Sequence, residues 1–407
     1  MKEDIENFNL SVRGNIRDLL AFKNLISKRR KLIQKASSEP IHGNQMKLLS
    51  NSLHPLKQSL VISEIKDETK STKTYRLISE GVGHSLAYFR AGQYLSLKVK
   101  INEEIVTRPY SISSSPLDNL NGFYEITIKK TEDGFVTNYI WDTWEVGTKI
   151  ESSGPEGTFY YEPLRDGSHI VGIAGGSGIT PFKSIAMAIV QGLIDAKLTI
   201  LYGSSEEDDI IFFDYFKSLE SQNPGKIKLI YVLSCEEVNL EGCEKGFITA
   251  EIIEKYVDVS NCSFFVCGPQ VMYEFIDEEL KRLNVIPKRI RREVYGQVKN
   301  VNSCVGYPQK LINKTFSIKV EIGNQETEIL GLANESILVA LEKAKLAPPS
   351  SCRSGSCGYC RSQLVSGEIF VNPREDGRRL ADKNRGFFHP CSSYPISDIH
   401  IIVPRSP

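Results

Sequence analysis

The spacing of apolar and polar positions changes several times along the chain, which indicates several kinds of secondary structure. In residues 1–50, apolar side chains recur at helical intervals and the basic run 28–31 falls among them. This pattern predicts a basic amphipathic helix that packs on the protein's own surface. Contact of residues 1–35 with a membrane surface, or with a partner protein, is the less favoured alternative.

Two other patterns follow. Short alternating or β-branched runs, separated by Gly, Asn, Asp and Pro, predict an antiparallel β unit that forms a small barrel. These runs lie at 59–65, 73–78, 94–99 and 125–129. From about 168 to 295, apolar runs alternate with helical stretches. Such alternation predicts a parallel, doubly wound sheet.

The length of 407 residues is too great for one hydrophobic core, so we expect several domains. Near the C-terminus, strand patterns flank a helical pattern, which predicts a small domain of its own. The predicted segments are a helical basic extension at 1–55, a β-barrel at 56–163, an α/β domain at 164–296, a linker at 297–314 and a last domain at 315–407.

Charge and hydropathy exclude several classes of protein. Lys and Arg total 50, as do Asp and Glu, so the net charge gives no reason to expect nucleic acid as a partner. The sequence has no run of about 20 apolar residues that could span a bilayer. It also has no basic leader followed by an apolar stretch. We therefore expect a protein of the reducing cytoplasm.

Four of the nine cysteines stand near the C-terminus, at Cys352, Cys357, Cys360 and Cys391. Their spacing, Cys-x4-Cys-x2-Cys followed by a distant fourth Cys, is the plant-type arrangement for a 2Fe-2S cluster. A structural zinc site usually takes two short-spaced pairs, and only one Cys-x2-Cys pair is present. A disulfide would be out of place in a reducing compartment. The spacing therefore favours an iron–sulfur cluster.

A glycine-rich turn follows the apolar run 170–174 and leads into a helical stretch. Residues 172–181 read Gly-Ile-Ala-Gly-Gly-Ser-Gly-Ile-Thr-Pro. Glycines let the backbone approach a pyrophosphate, and the helix N-terminus offers it unpaired N–H groups. By itself the turn could equally be structural. A second motif, Cys-Gly-Pro-Gln-Val-Met at 267–272, ends a later strand, so both motifs are expected at the carboxyl edge of the sheet.

Three further motifs lie in the predicted barrel. They are Arg-Pro-Tyr-Ser at 108–111, Gly-Phe-Val-Thr-Asn at 134–138 and Gly-Pro-Glu-Gly-Thr-Phe at 154–159. An Arg can bind a phosphate, an aromatic ring on the same strand face can stack on a planar ring, and the next hydroxyl can hydrogen-bond to that ring. Each motif alone is a weak signal, and Arg-Pro-Tyr-Ser is also compatible with an exposed Arg beside a Tyr that packs in the barrel.

In this order, the motifs resemble the ferredoxin-NAD(P) reductase superfamily with a C-terminal plant-type ferredoxin domain, as in oxygenase reductases and hybrid-cluster-protein reductases. The resemblance covers about residues 58–405. It implies a multidomain α+β and α/β protein behind an N-terminal helical extension. Its domains would be an antiparallel FAD-binding β-barrel, a doubly wound parallel NAD-binding sheet and a C-terminal β-grasp ferredoxin domain.

The resemblance also assigns residues to cofactors. The flavin would be bound by Arg108 on its phosphate and by Pro109, Tyr110 and Ser111, and its pyrophosphate by Gly134, Val136 and Thr137. The residues implied for the nicotinamide nucleotide are Gly175, Gly176, Gly178, Ile179, Thr180, Pro181, Cys267, Gly268, Pro269 and Met272. Those implied nearest the transferred hydride are Tyr110, Ser111 and Cys267. The four cysteines would hold the cluster.

Three details refine this assignment. Gly-Pro-x-Gly-x-Phe at 154–159 resembles the FAD-binding branch of the family, so FAD is expected rather than FMN. Arg-Glu-Val-Tyr at 292–295 is a looser match to the element that ends the family's nucleotide domain. Phe-His-Pro before Cys391 departs from the usual aliphatic lead-in to the fourth ligand.

The implied function is NADH-dependent electron transfer through FAD and a 2Fe-2S cluster to a separate acceptor protein, such as an oxygenase, a desaturase or a hybrid-cluster protein. Two alternatives are a redox-responsive binding or sensor protein and a partnerless NADH oxidase or flavin reductase. The acids at 206–209 would repel a 2′-phosphate, which favours NADH over NADPH. The acceptor is expected on the surface around Arg353, Tyr359 and Arg361.

Overall fold

The chain folds as two compact units, Met1–Ser50 and Asn51–Pro407. The computed structural model describes residues 16–36, 44–81, 85–235, 240–296, 298, 300–373 and 376–405. The rest of the predicted N-terminal extension, at 1–15 and 37–43, lies outside the described residues. The bounds of the five predicted segments stay a prediction.

The N-terminal extension contains two helices, α1 (Ile16–Lys35) and α2 (Gln45–Leu53). Every side chain that the structure describes on α1 is exposed, including those of Phe22, Leu25 and Ile33. The helical character predicted for this extension is therefore confirmed. Packing on the protein's own surface stays a prediction. None of the helices in the described ranges is both long and apolar enough to cross a membrane.

An antiparallel sheet builds the first part of the larger unit. Its strands are β1 (Gln58–Thr69), β2 (Thr72–Ser79), β3 (Tyr94–Ile101), β4 (Glu104–Ser111), β5 (Phe123–Lys129) and β6 (Lys149–Ser152), accompanied by α3 (Pro116–Leu120) and α4 (Phe135–Thr143). The strand order is β4-β3-β6-β1-β2-β5. A bridge between Ile112 and Ile126 joins the end of β4 to β5, so the two edges meet and the sheet closes into a barrel.

Apolar side chains at alternate strand positions fill the inside of this barrel. Leu95, Leu97 and Val99 of β3 are buried, whereas the intervening Lys98 and Lys100 are exposed. Leu60 and Ile62 of β1 and Ile126 of β5 complete the same apolar cluster. The predicted antiparallel barrel is therefore confirmed.

A parallel sheet follows. Its elements are β7 (His169–Gly175), α5 (Thr180–Val190), β8 (Lys197–Ser204), α6 (Phe213–Gln222), β9 (Ile227–Leu233), β10 (Glu244–Lys245), α7 (Ala250–Tyr256), β11 (Cys262–Cys267), α8 (Gln270–Arg282) and β12 (Ile290–Glu293). The strand order is β10-β9-β8-β7-β11-β12, with every pairing parallel. From β7 the chain adds β8, β9 and β10 on one side of that strand, and it then returns to add β11 and β12 on the opposite side. The point between β7 and β11 is where such sheets bind ligands.

The last region forms a small mixed sheet against a helix. Its elements are β13 (Thr315–Ile322), β14 (Gln325–Leu332), α9 (Ile337–Lys343), β15 (Ser362–Ser366), β16 (Ile369–Val371), α10 (Leu380–Asn384), β17 (Phe387–Phe388), β18 (Ser393–Pro395) and β19 (Ile399–Ile402). The main sheet runs β14-β13-β19-β15-β17. Ile337 and Leu341 of α9 pack on Ile318 and Ile401 of the sheet. Together with the other two sheets, this arrangement confirms the predicted fold class.

Candidate redox site

The glycine-rich turn and the Cys-Gly-Pro motif meet at the switch point between β7 and β11. A Cβ added to Gly178 would overlap the carbonyl oxygen of Cys267, so only glycine fits there. A Cβ on Gly175 would lie 2.6 Å from Sδ of Met272 and 2.9 Å from Cδ of Pro269. The glycines of the turn therefore lie in close contact with the Cys-Gly-Pro motif, which brings residues predicted for the nicotinamide nucleotide to one place.

The start of α5 continues this site. Gly176 has a φ of +51°, a backbone conformation that favours glycine. Ile179, Thr180 and Pro181 are buried, and the Thr180 hydroxyl donates to the carbonyl of Ser177 at 2.9 Å. Because Thr180 uses its side chain inside the turn, the backbone N–H groups here are what remains for a phosphate.

Cys267 ends β11 and lies beside Glu293, the last residue of β12, in the parallel register. Both side chains are buried. Burial, reinforced by the nearby Glu293, raises the pKa of the Cys267 thiol well above its usual range, so the thiol stays neutral. Burial likewise raises the pKa of Glu293, with Cys352 as a further cause.

Oε2 of Glu293 is buried and has no hydrogen-bond partner among the described residues. A buried oxygen of this kind is costly unless another group satisfies it. The site therefore fits a bound cofactor whose polar atoms reach this carboxyl group.

The Arg-Pro-Tyr-Ser motif occupies the end of β4. Arg108 and Tyr110 are half-buried, whereas the alternate residues Pro109 and Ser111 are buried. The Ser111 hydroxyl lies 3.0 Å from the hydroxyl of Tyr295, which follows β12. Burial raises the pKa of Tyr110 well above its usual range, so its hydroxyl stays neutral. The barrel and the parallel sheet thus meet at the hydroxyl groups of Ser111 and Tyr295.

Arg108 is a half-buried cation, and its one hydrogen bond to the described residues runs from Nη1 to the carbonyl of Thr107, at 2.9 Å. No carboxylate pairs with it in the part of the chain that the structure describes. Burial, and then repulsion from Arg353, lower its pKa to about 10. A bound anion would offset both the burial of the positive charge and its repulsion from Arg353, so Arg108 fits a phosphate group.

The predicted pyrophosphate motif begins α4. A Cβ on Gly134 would overlap the hydroxyls of Thr131 and Thr137, so glycine is required. No side chain caps the first N–H groups of this helix. The Val136 side chain packs in the barrel core, so only the backbone of Val136 is available to a ligand.

The four predicted cluster ligands come together in two pairs. Sγ of Cys360 lies 3.4 Å from Sγ of Cys391, and the Cys357 thiol donates to Sγ of Cys352. Across the described ranges, no three or more metal-ligating side chains converge as they would on one ion. A single zinc ion needs four ligands around one point, whereas a 2Fe-2S cluster takes two thiolates on each iron. The paired geometry fits the cluster.

The loop around these cysteines turns its N–H groups toward sulfur. The N–H of Gly355 donates to Sγ of Cys391 at 3.2 Å, and those of Ser354 and Cys357 donate to Sγ of Cys352 at 3.4 Å. The Cys357 thiol and the Ser354 and Ser356 donors hold the pKa of Cys352 below its usual range. Such donors stabilise thiolates, which are the form that binds iron.

Two side chains hold this loop in shape. Nδ1 of His389 lies 2.6 Å from the carbonyl oxygen of Gly355, so the residue that departs from the family's usual lead-in supports the cluster loop. Arg353 is buried and forms an ion pair with Glu342 on α9, with Nη2 at 3.0 Å from Oε2. Removing either partner would cost about 3–5 kcal/mol. The expectation that Arg353 contacts an acceptor is therefore wrong, because the side chain is not at the surface.

The residue before the first cluster ligand contacts the barrel. The Ser351 hydroxyl lies 2.8 Å from the hydroxyl of Ser96 on β3 and donates to the carboxylate of Glu156. Glu156 pairs with Tyr94 through both backbone hydrogen bonds, at 2.9 and 3.0 Å. The Tyr94 ring packs edge-on against Tyr295 with centroids 5.6 Å apart. A chain of direct contacts thus connects Ser111 with the cluster loop.

Sequence reasoning missed part of this chain. Tyr94 and Ser96 carry no motif signal, because their importance comes from what faces them across the fold. Glu156 lies inside the 154–159 motif, whose pattern does not distinguish it from its neighbours. Glu293 and Tyr295 belong to the looser match at 292–295, and its Glu-x-aromatic pattern is the signal that points to them.

The acidic loop after β8 does not face the nucleotide side with all four carboxylates. Asp208 pairs with Lys70 at 2.7 Å, and Asp209 accepts from Lys129 and, at 3.2 Å, from Ser71. Glu207 accepts the N–H of Leu240 at 2.8 Å. Of the four acids, Glu206 alone is exposed and forms no ion pair with a described residue, so only its carboxylate is left to repel a 2′-phosphate.

Three family models match the chain. They describe an oxidoreductase FAD-binding domain at 59–161, an oxidoreductase NAD-binding domain at 173–278 and a 2Fe-2S iron-sulfur cluster binding domain at 320–395. The fold and the site therefore define an oxidoreductase that combines FAD, a nicotinamide nucleotide and a 2Fe-2S cluster.

Relatives and solved structures agree with this class. The chain is 27% identical over 348 residues to the ferredoxin reductase component of 3-ketosteroid-9-alpha-monooxygenase from Mycobacterium tuberculosis, covering 83% of this chain and 93% of the relative. It is 24% identical over 340 residues to NADH oxidoreductase HCR from Escherichia coli, covering 83% and 95%. The structure of phthalate dioxygenase reductase shares the fold with a TM-score of 0.62 at 22% identity, over 86% of this chain and 98% of that one.

The chain belongs to the ferredoxin-NAD(P) reductase superfamily and ends in a plant-type 2Fe-2S ferredoxin domain. It is an NAD(P)H-dependent electron-transfer oxidoreductase, and the prediction of FAD, nicotinamide nucleotide and 2Fe-2S cluster as cofactors is confirmed.

Proposed function

We propose that this protein is the reductase of a multicomponent system, taking electrons from NADH and delivering them singly to a separate acceptor protein of the oxygenase type. Nicotinamide gives up two electrons as a hydride and a 2Fe-2S cluster accepts one, and FAD supplies the chemistry that converts one into the other. Relatives described as reductase components of monooxygenases support an oxygenase as the acceptor.

The observation that carries this proposal is the continuous contact from the nucleotide motifs to the cluster loop. Cys267 lies beside Glu293, Tyr295 is hydrogen-bonded to Ser111, and Tyr295 packs on Tyr94. Tyr94 is in turn joined to the loop through Glu156 and Ser351. An oxidoreductase that passes electrons onward needs such proximity, whereas a partnerless flavin reductase does not.

The residues of β4 and α4 would hold FAD. Arg108 would pair with a phosphate, because it is half-buried and forms no ion pair with a described carboxylate. Tyr110 would contact the ring system, Ser111 would present its hydroxyl beside Tyr295, and Pro109 would fix the strand. Gly134 would leave room at the start of α4, and the free N–H groups of Val136 and Thr137 would receive the pyrophosphate.

The switch-point residues would hold the nicotinamide nucleotide. Gly175, Gly176 and Gly178 let the backbone approach the phosphates, and the start of α5 presents its N–H groups. Gly268, Pro269 and Met272 close the other wall. The buried thiol of Cys267 and the buried side chain of Glu293 would keep water away from the transferred hydride.

The proposal is tested by adding NADH to the anaerobically purified protein carrying FAD and cluster. We expect rapid bleaching of the flavin absorbance, followed by the electron paramagnetic resonance signal of a reduced 2Fe-2S cluster. When cytochrome c is then added as an artificial electron acceptor, we expect its sustained reduction. Flavin reduction with no cluster signal would contradict the proposal, and slow turnover with redox-dependent partner binding would favour a sensor instead.

Nucleotide preference is expected to change when Ser205 is replaced by Arg. The preceding residue, Ser204, is buried and donates to the carbonyl of Glu206, so it cannot carry a long side chain into the site. Ser205 follows β8 and is exposed. A guanidinium there can pair with a 2′-phosphate, and we expect the NADPH to NADH ratio of kcat/KM to rise about 10-fold.

The matched control for this prediction is Asp208→Asn, which removes one acid from the same loop. Asp208 is paired with Lys70 on the barrel, so its loss should leave the nucleotide ratio unchanged. An equal rise in both variants would show that loop charge alone sets the preference. No rise with Ser205→Arg would place the 2′ position elsewhere.

A further inference from the structure

The exposed side of the cluster loop is bordered by a basic segment. Cys357 is the exposed member of the four cluster cysteines, and the neighbouring Tyr359 is 39% exposed. A Cβ on Gly377 would lie 2.5 Å from the carbonyl oxygen of Gly355 and 3.2 Å from Cα of Ser356. The segment that leads into α10 therefore lies directly against the cluster loop.

The helix α10 is attached to the residue after Cys360. Nε of Arg361 donates to Asp382 of α10 at 2.7 Å, and the Arg361 guanidinium stacks 3.4 Å from the centroid of the Phe387 ring. This contact fixes α10 beside the cluster. Arg379 precedes α10 and Arg385 follows it, so both cations stand at the border of the loop.

The described acids of this segment, Asp376 and Asp382, are already paired. Asp376 accepts from Arg378 at 2.8 Å and pairs with Lys383 at 2.9 Å, and Asp382 is bound to Arg361. Arg379 and Arg385 are exposed and form no ion pair with any described residue. The chain as a whole has no net charge, so this is a local excess of positive charge.

An apolar side chain stands within this basic border. Leu380, the first residue of α10, is 74% exposed. Protein interfaces commonly combine an apolar or aromatic centre with a charged rim, and Arg and Tyr are enriched in them. Leu380 and Tyr359 would supply the centre here, and the arginines would supply the rim.

We propose that the acceptor protein docks on the surface formed by Tyr359, Arg361, Arg379, Leu380, Lys383 and Arg385, and that the acceptor presents an acidic patch to it. This inference rests on the proposed function, because it assigns the electron outlet to the exposed side of Cys357. Charge complementarity would steer the acceptor to the one side of the protein where the cluster approaches the surface.

The test uses the full, cofactor-loaded protein and two haem proteins of opposite charge, acidic cytochrome b5 and basic cytochrome c. Binding of the oxidised proteins is measured by calorimetry at low ionic strength. We expect cytochrome b5 to bind and its affinity to fall with added salt. In the variant Arg379→Glu with Arg385→Glu, the affinity should fall by about 10-fold or more.

The matched control reverses two exposed lysines on the parallel-sheet region, Lys226→Glu with Lys288→Glu. It changes the net charge equally and should leave cytochrome b5 binding unchanged. Equal loss in both variants, no binding of cytochrome b5 by the native protein, or preference for cytochrome c would overturn the proposal. NADH reduction of flavin and cluster in the same preparations tests the proposed function separately.

Discussion

Replacement of Cys360 by Ser is expected to remove the 2Fe-2S cluster and to lower cytochrome c reduction by more than about 100-fold. Cys360 is buried and its sulfur lies 3.4 Å from that of Cys391, so one change breaks one of the two thiolate pairs. NADH should still reduce the flavin at the native rate, because the β4 and switch-point residues are on other elements. Iron content, visible spectra and stopped-flow absorbance measure the three quantities.

The control for this variant is Cys243→Ser, a half-buried cysteine of the parallel-sheet region. The iron content, the visible spectrum and the rate of cytochrome c reduction should then match those of the native protein. Retention of two irons by the Cys360 variant would show that these cysteines do not hold the cluster. Loss of flavin together with iron would show that the change unfolds the protein instead.

The part of the fold that could be predicted is the part encoded by short-range patterns. The apolar run of β7, the glycine turn after it and the helix α5 stand next to one another in the sequence, and their order predicts the switch point. Cys352, Cys357 and Cys360 are similarly local. Their spacing is dictated by the size of the cluster, so it can be recognised without knowing the fold.

Elements that depend on tertiary position were missed. No apolar run indicated β4, because Arg108 and Pro109 interrupt the alternation. Proline is tolerated there since β4 stands at the end of the sheet order, where a missing N–H costs no ladder hydrogen bond. The edge strand β12, with two arginines in four residues, likewise gives no apolar signal although it ends in Glu293.

The contacts between sheets were the least predictable feature. The sequence separates Ser351 from Ser96 by 255 positions and from Glu156 by 195. Small hydroxyl residues of this kind are common at surfaces, so nothing local distinguishes those that meet. The same reason explains the error at Arg353, since its burial depends on Glu342 of α9.

Replacing Glu156 by Ala is expected to slow electron transfer between flavin and cluster by roughly 10- to 100-fold while leaving flavin reduction by NADH unchanged. The Glu156 carboxylate accepts from Ser351 and lies 3.5 Å from the Ser96 hydroxyl, and it is the one acid at this contact. Without it, the cluster loop loses its fixed position against the barrel. Stopped-flow absorbance at the flavin and cluster bands separates the two steps.

Glu156→Gln should restore most of the lost rate, because the amide oxygen can still accept from Ser351. The control is Glu103→Ala, which breaks the exposed ion pair between Glu103 on the barrel side and Lys345 after α9. Surface pairs of this kind contribute little, so the rate should not change. If the Glu156→Ala variant slowed NADH reduction of the flavin as much as reduction of the cluster, Glu156 would act on the barrel itself and the positioning role would be wrong.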